Sequence, residues 1–304
     1  MPPEVEPDSA PQRPDLRRPW GDRTGVMGVI NLTPDSFSDG GRFLGAAAAL
    51  AEAGRQVARG ADVLDLGAQS TRPGAEEVGA EAEIRRLLPA LRAIRAAVPG
   101  VQLSVDTFHA VVAEAALAAG ADWINDVSGG RRDPAILSLV ATAGCPYVLM
   151  HSRGNSRTMD QQAVYGDVAE EVRQELLRAT DRALAAGVRP GQLLWDPGLG
   201  FAKTVEQNLA LLASLEDLAA EGFPLLVGPS RKRFIGEVLA EPRPRARLWG
   251  TAAVCCRAIA AGAAVLRVHD VGPIVQTARM ADALWRLRPA PSSLNRLQEN
   301  QDQQ

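Results

Sequence analysis

Cysteine is scarce in this sequence: three in 304 residues, Cys145 and the neighbours Cys255 and Cys256. Their positions make no metal-ligand spacing, which leaves out a zinc or iron–sulfur module. An odd count with no leader peptide points to a reducing, cytoplasmic setting, and the expected role of all three is as small buried apolar residues. Long hydrophobic runs are lacking too, so no segment is expected to cross a membrane. Neither sign of charge dominates. The 33 Lys and Arg against 36 Asp and Glu leave a net charge of −3, which argues against nucleic acid or an anionic membrane as a partner.

What the chain does have is apolar content, 46% of its residues and ample for a large core. That length fits two domains or one α/β barrel. The ends are expected to be disordered tails. Residues 1–23 hold Pro2, Pro3, Pro7, Pro11, Pro14 and Pro19, which forbid a regular helix, and the early acids Glu4, Glu6 and Asp8 argue against a transit peptide. Residues 289–304 are polar and begin with Pro289.

Between the tails the chain alternates. The apolar runs VMGVI, DVLDL, VQLSVD, DWINDV, PYVLMH, LLWDPG, FPLLVG and AVLRVH are the strand candidates. Alanine-rich stretches of helical period separate them, such as Ala46–Arg59, Ala80–Ala97, Ala110–Ala119 and Ala163–Ala186. Several end in AAG or ARG, at Gly60, Gly120 and Gly187, where a glycine in the left-handed region stops the helix. Eight strands alternating with helices predict a (β/α)8 TIM barrel over residues 24–288, as a single domain. A doubly wound sheet is the alternative, because a strand count does not prove closure.

A barrel carries its site at the C-terminal strand ends, and polar residues collect there. The eight strands end at Asn31, Asp65, Asp106, Asn125, near His151, at Asp196, near Ser230 and Lys232, and at Arg267 and His269. Helix capping explains any one Asp, Asn or Ser, but not eight strand ends with Arg, Lys and His among them. A second oddity is the stretch GVMGVINLTPDSFSDGGRF, where a buried strand gives way to a loop of two carboxylates, three hydroxyls and a lone Phe37.

The phrases MGVINLTPDSFSDGG, QSTRPGA, SVDT, INDVSGG, DPGLGFAKT, GPSRKRFIG and RVHDV, in this order across nearly the whole barrel, resemble the dihydropteroate synthase family. The resemblance implies a (β/α)8 transferase of folate synthesis. It would join 4-aminobenzoate to 6-hydroxymethyl-7,8-dihydropterin diphosphate, giving 7,8-dihydropteroate and diphosphate. The family assigns pterin binding to Asp106, Asn125, Asp196, Lys232 and Arg267. These are chemically apt, since a flat amidine-edged ring needs fixed acceptors and donors and a planar cation to stack on.

The resemblance further implies a diphosphate site of Asn31, Arg72, Arg267 and His269, with Asn31 the direct ligand of a Mg2+ cofactor. The loops at Thr33–Asp39 and Ser70–Pro73 would close to form the 4-aminobenzoate pocket, with Phe37, Thr71, Pro73 and Ser230 around the benzoate. Asp35 and Asp39 would stabilise a cationic pterin intermediate. With Arg72, Lys232, Arg267 and His269 they make up the catalytic set of a dissociative substitution that needs no triad-like nucleophile. His109 is expected to start a helix, and His151 inherits no role. Gln69 departs from the Glu common in the family, beside an intact Ser70–Thr71–Arg72–Pro73. Two other functions share features of the pattern, a pterin-binding corrinoid methyltransferase and a silent pterin-binding paralogue. The first needs neither the Phe37 loop nor the STRP and SRKR phrases, and the second would be expected to have lost site residues. The family is usually dimeric through helices outside the barrel, so a homodimer is expected.

Overall fold

The computed structural model describes residues 23–32, 42–69 and 74–286. Eight strands lie parallel in one sheet: β1 (Gly25–Asn31), β2 (Val63–Gly67), β3 (Gln102–Asp106), β4 (Trp123–Asp126), β5 (Tyr147–Met150), β6 (Leu193–Asp196), β7 (Leu226–Val227) and β8 (Val265–Val268). Their order, β6-β5-β4-β3-β2-β1-β8-β7, follows the chain around a ring. One parallel bridge, Trp195 to Leu225, brings β6 against the start of β7 and nearly closes it. The architecture is therefore the barrel, not the doubly wound sheet.

The helices are α1 (Arg42–Ala58), α2 (Ala80–Ala97), α3 (Ala110–Ala118), α4 (Ala135–Ala143), α5 (Val168–Ala185), α6 (Val205–Ala213), α7 (Leu215–Ala220), α8 (Arg233–Val238), α9 (Leu248–Ala260) and α10 (Val271–Trp285). Gly60, Gly120 and Gly187 do stop their helices in the left-handed region, at φ 94°, 100° and 95°. Two starts differ from expectation. α1 begins four residues early, at Arg42 instead of Ala46. α5 begins late, at Val168, because the Asp167 carboxylate accepts from the amides of Ala169 and Glu170 at 3.0 and 3.1 Å and so caps the helix there.

The strands alternate with period two between two apolar environments. Val26, Leu64, Leu66, Leu103, Val105, Ile124, Tyr147, Leu149, Trp195 and Leu266 join the large core shared with the helices. Met27, Val63, Trp123, Val148, Leu194, Leu226 and Val265 form a second cluster that fills the barrel interior. Two residues further along four of the strands, on the same face, the interior becomes polar: Asp65 after Val63, Asn125 after Trp123, Asp196 after Leu194, Arg267 after Val265. The apolar plug thus forms the floor on which a polar layer stands.

Candidate active site

Register places that layer side by side. Gly67 pairs with Asp106, Asp106 with Asn125, and Met150 with Asp196. From the other edge, β8 runs beside β1 with Arg267 opposite Met27. The Arg267 guanidinium donates from Nε to Asp65 Oδ2 at 2.6 Å and from Nη2 to Asp106 Oδ2 at 2.8 Å. Asn125 Nδ2 donates to the same Asp65 oxygen at 3.2 Å. Asp65, fully buried, therefore ties two of the expected pterin residues together. The sequence shows Asp65 only as a polar strand end; its place in the site comes from the Arg267 side chain crossing the barrel.

Electrostatics follow from burial. Desolvation pushes the Asp106 carboxyl up to about 7 against the pull of Arg267, and raises Asp196 against the pull of Lys232. Burial opposes the Arg267 charge, but Asp65 and Asp106 outweigh it and hold the guanidinium above its ordinary value. Burial lowers Lys232 to about 8, with Asp196 acting in the opposite direction. Among the described residues, the buried oxygens Asp65 Oδ1 and Asn125 Oδ1 have no hydrogen-bond partner. Unpaired buried acceptors are costly, so this layer has hydrogen-bonding capacity left for a donor-rich ligand.

The turn after β6 forms the adjoining wall. Asp196 Oδ1 accepts from Gly198 N at 2.7 Å. Lys232 Nζ donates to the Leu199 carbonyl and lies 4.3 Å from the centre of the Phe201 ring. Lys232 is brought there by a turn in which Arg231 takes φ 60°. The Arg231 guanidinium clasps Asp270 at 2.9 and 2.6 Å, and its amide donates to Thr251 Oγ1 at 3.1 Å. Ser230 Oγ accepts from the His269 amide at 3.1 Å and bonds His269 Nδ1 at 3.0 Å, so the residues expected for benzoate and diphosphate are neighbours. α8, which follows, has only six residues, too short for its dipole to matter much to an anion.

Asn31 ends β1, half-buried and opposite Gly67. Among the described residues no group of three or more His, Cys, Asp or Glu is placed to hold a metal. A lone neutral amide oxygen fits Mg2+ only where phosphate oxygens and water complete the shell. Asp35, Phe37, Asp39, Thr71, Arg72 and Pro73 lie outside the described residues. The chain just after the second of these stretches is anchored: Gly74 N donates to Ser156 O at 2.8 Å, and Arg132 grips Glu77 with two bonds of 2.6 Å. Gln69 Oε1 accepts from Val78 N at 3.4 Å, tying the two ends of that loop. His109 stands at the start of α3, as expected, without a side-chain capping bond. Strand five departs from the pattern, because Met150 is its interior residue and His151 turns behind the site, to Glu175 and Lys203.

A buried acidic and amide layer with Lys and Arg at its rim stands at the C-terminal end of a parallel barrel, and its unpartnered acceptors suit a donor-edged ligand. The family model of the pterin binding enzymes matches residues 27–269, and the chain belongs to that family. It is 51% identical over 267 residues to the dihydropteroate synthase of Synechocystis sp., covering 88% of this chain and 92% of that protein. Its structure is similar to that of Xanthomonas albilineans dihydropteroate synthase with 4-aminobenzoic acid, at a TM-score of 0.82 and 43% identity over 88% of this chain and 95% of the other. The same Xanthomonas enzyme in complex with 7,8-dihydropteroate superposes at a TM-score of 0.78, with 41% identity over 88% and 95% of the two chains.

Proposed function

We propose that this protein is a dihydropteroate synthase, condensing 6-hydroxymethyl-7,8-dihydropterin diphosphate with 4-aminobenzoate to 7,8-dihydropteroate and diphosphate. The observation that carries this is the layer of Asp106, Asn125 and Asp196, with Asn125 Oδ1 and the adjoining Asp65 Oδ1 unpartnered, beside Lys232 and the doubly pinned Arg267. Asp196, Asn125 and Asp106 accept from the ring's N–H edge. Lys232 turns from Leu199 to donate to the ring carbonyl or a ring nitrogen. The planar Arg267, fixed by Asp65 and Asp106, stacks on the ring face.

Chemistry then needs charge stabilisation more than proton transfer. Asn31, Arg72, Arg267 and His269 receive the diphosphate as the C–O bond breaks, and Asp35 and Asp39 face the positive charge left on the pterin. A Mg2+ ion held by Asn31 would neutralise charge on the leaving diphosphate. The arylamine nitrogen of 4-aminobenzoate, lying between Phe37, Thr71, Pro73 and Ser230, forms the new C–N bond and loses its proton. No nucleophile of the protein is consumed.

The test is release of diphosphate from the pterin substrate by the purified protein, with and without 4-aminobenzoate and with Mg2+ chelated. Release that needs both 4-aminobenzoate and Mg2+ is expected. Release indifferent to 4-aminobenzoate, or none at all, would refute the assignment, and activity untouched by chelation would remove the metal role of Asn31. We propose a homodimer in the cytoplasm as the working form. Trp249 on α9 and Met280, Leu284 and Trp285 on α10 expose large apolar surface on the outside of the barrel, which suits pairing of two copies. A monomer at micromolar concentration in a solution mass measurement would exclude the dimer.

A further inference from the structure

The lysine of DPGLGFAKT, Lys203, is 5% exposed and lies against the turn that follows Asp196. Its ammonium has three donors and uses all of them, on His151 Nδ1, Gly198 O and Phe201 O, each at 3.0 Å. Because an ammonium only donates, His151 Nδ1 must accept. The imidazole proton therefore sits on Nε2, which donates to Glu175 Oε2 at 3.0 Å. Glu175 is held in turn by Arg153 Nε at 3.0 Å. Burial, and the Lys203 charge after it, lower His151 to about 3, which agrees with a neutral ring in this chain of bonds.

The turn these groups hold has no ordinary backbone. Gly198, Gly200 and Ala202 all take positive φ, at 67°, 76° and 49°. Consecutive carbonyls point to different ammonium groups, those of Gly198 and Phe201 to Lys203 and that of Leu199 to Lys232. The same turn sets the ligand face, since Gly198 N fixes the Asp196 carboxylate and Phe201 lies under Lys232. Lys232 spends one of its three donors on Leu199, and Lys203, together with Asn208 Oδ1, which accepts from Gly200 N at 2.7 Å, holds the turn independently of it.

We propose that Lys203 is a positioning residue for pterin binding: its ammonium, seated on neutral His151 and Glu175, locks the turn that aims Asp196 and Phe201 and leaves Lys232 free to swing to the ligand. This rests on the site being a pterin-diphosphate pocket, so the test separates the two ideas. Lys203→Met keeps the chain length and removes the donors. Calorimetry with pterin diphosphate alone should show affinity weakened at least tenfold, and KM for that substrate should rise in step, while kcat at saturation changes less than threefold. A merely structural lysine would instead lower the melting temperature and the active fraction and leave KM alone, and that result overturns the proposal.

Asp196→Asn is the reference. If it binds pterin diphosphate as the unaltered protein does, the pocket assignment fails; if it loses binding while Lys203→Met keeps it, only the role of Lys203 fails. In the double variant the Lys203 change should add little, because it acts through Asp196. Should Lys203→Met not fold, nitrogen NMR of the unaltered protein still decides: His151 must carry its proton on Nε2 between pH 5 and 6.5, where Lys203 is still charged. A proton on Nδ1 anywhere in that range would exclude the Lys203 contact and with it the proposal.

Discussion

Two ammonium groups flank one carboxylate, and at the scale of single residues this sets opposite pH dependences for stability and binding. Burial lowers Lys203 to about 7 and Lys232 to about 8, from an ordinary 10.5. Between those values and 10.5 the unfolded chain still holds protons that the folded one has released. The contribution of each lysine to stability therefore rises with pH across that window. Affinity runs the other way, because a Lys232 that donates to the pterin must be protonated. Pterin-diphosphate binding is expected to weaken as pH passes about 8, and Lys232→Met should bind weakly with no step there. Calorimetry from pH 6.5 to 9.5 measures both, and the same step in both proteins would take Lys232 out of the contact. Lys232 was legible in the sequence through its SRKR phrase. Lys203 was not, because a lysine in a polar stretch past a strand looks solvated. Its burial depends on three acceptors from two separate segments that only the fold brings together.

The β6–α6 turn shows how much an element depends on one missing atom. A Cβ on Gly198 would lie 1.8 Å from the His151 carbonyl oxygen, at a φ of 67°. Gly222 has φ 85° and nothing within 4 Å of a built Cβ, so alanine there meets only the left-handed strain of about 1–2 kcal/mol. Gly198→Ala should cost well beyond that and abolish pterin-diphosphate binding, whereas Gly222→Ala should bind normally. Urea denaturation and calorimetry compare them, and equal costs would mean that the turn relaxes freely. The strands themselves were legible because parallel strands buried on both faces read as continuous apolar runs, interrupted two residues after the interior position by Asp65, Asn125, Asp196 or Arg267. Length was less legible. FPLLVG looks like a full strand, yet only Leu226 and Val227 pair in the ladder, since Pro224 lacks an amide to donate. His151 misled for a different reason: in strand five Met150 holds the interior position, which turns the histidine behind the wall.

Across the whole molecule the two ends of the barrel chain are joined. Asp282 on α10 accepts from Thr24 N at 2.8 Å and Thr24 Oγ1 at 2.7 Å, just ahead of β1. Beside it, Arg23 grips Asp62 with bonds of 2.9 and 2.7 Å. The β1–β8 junction, where a linear chain must close its ring, is therefore well fastened. The weak place is elsewhere, between β6 and β7, where the Trp195–Leu225 bridge stands instead of a ladder. The barrel is in effect a horseshoe with a latch across its gap. Asp196 is on one lip and Lys232, a few residues past β7, on the other. Backbone amides near the latch should exchange with deuterium sooner than those of β1 to β4, because fewer bonds must break to expose them. A pterin held from both lips would work as a clasp, so its binding should slow exchange at Leu225–Val227 more than anywhere else in the sheet. Uniform slowing around all eight strands would show that the gap has no independent give. If the clasp holds, substrate does more than fill the barrel: it completes the hoop.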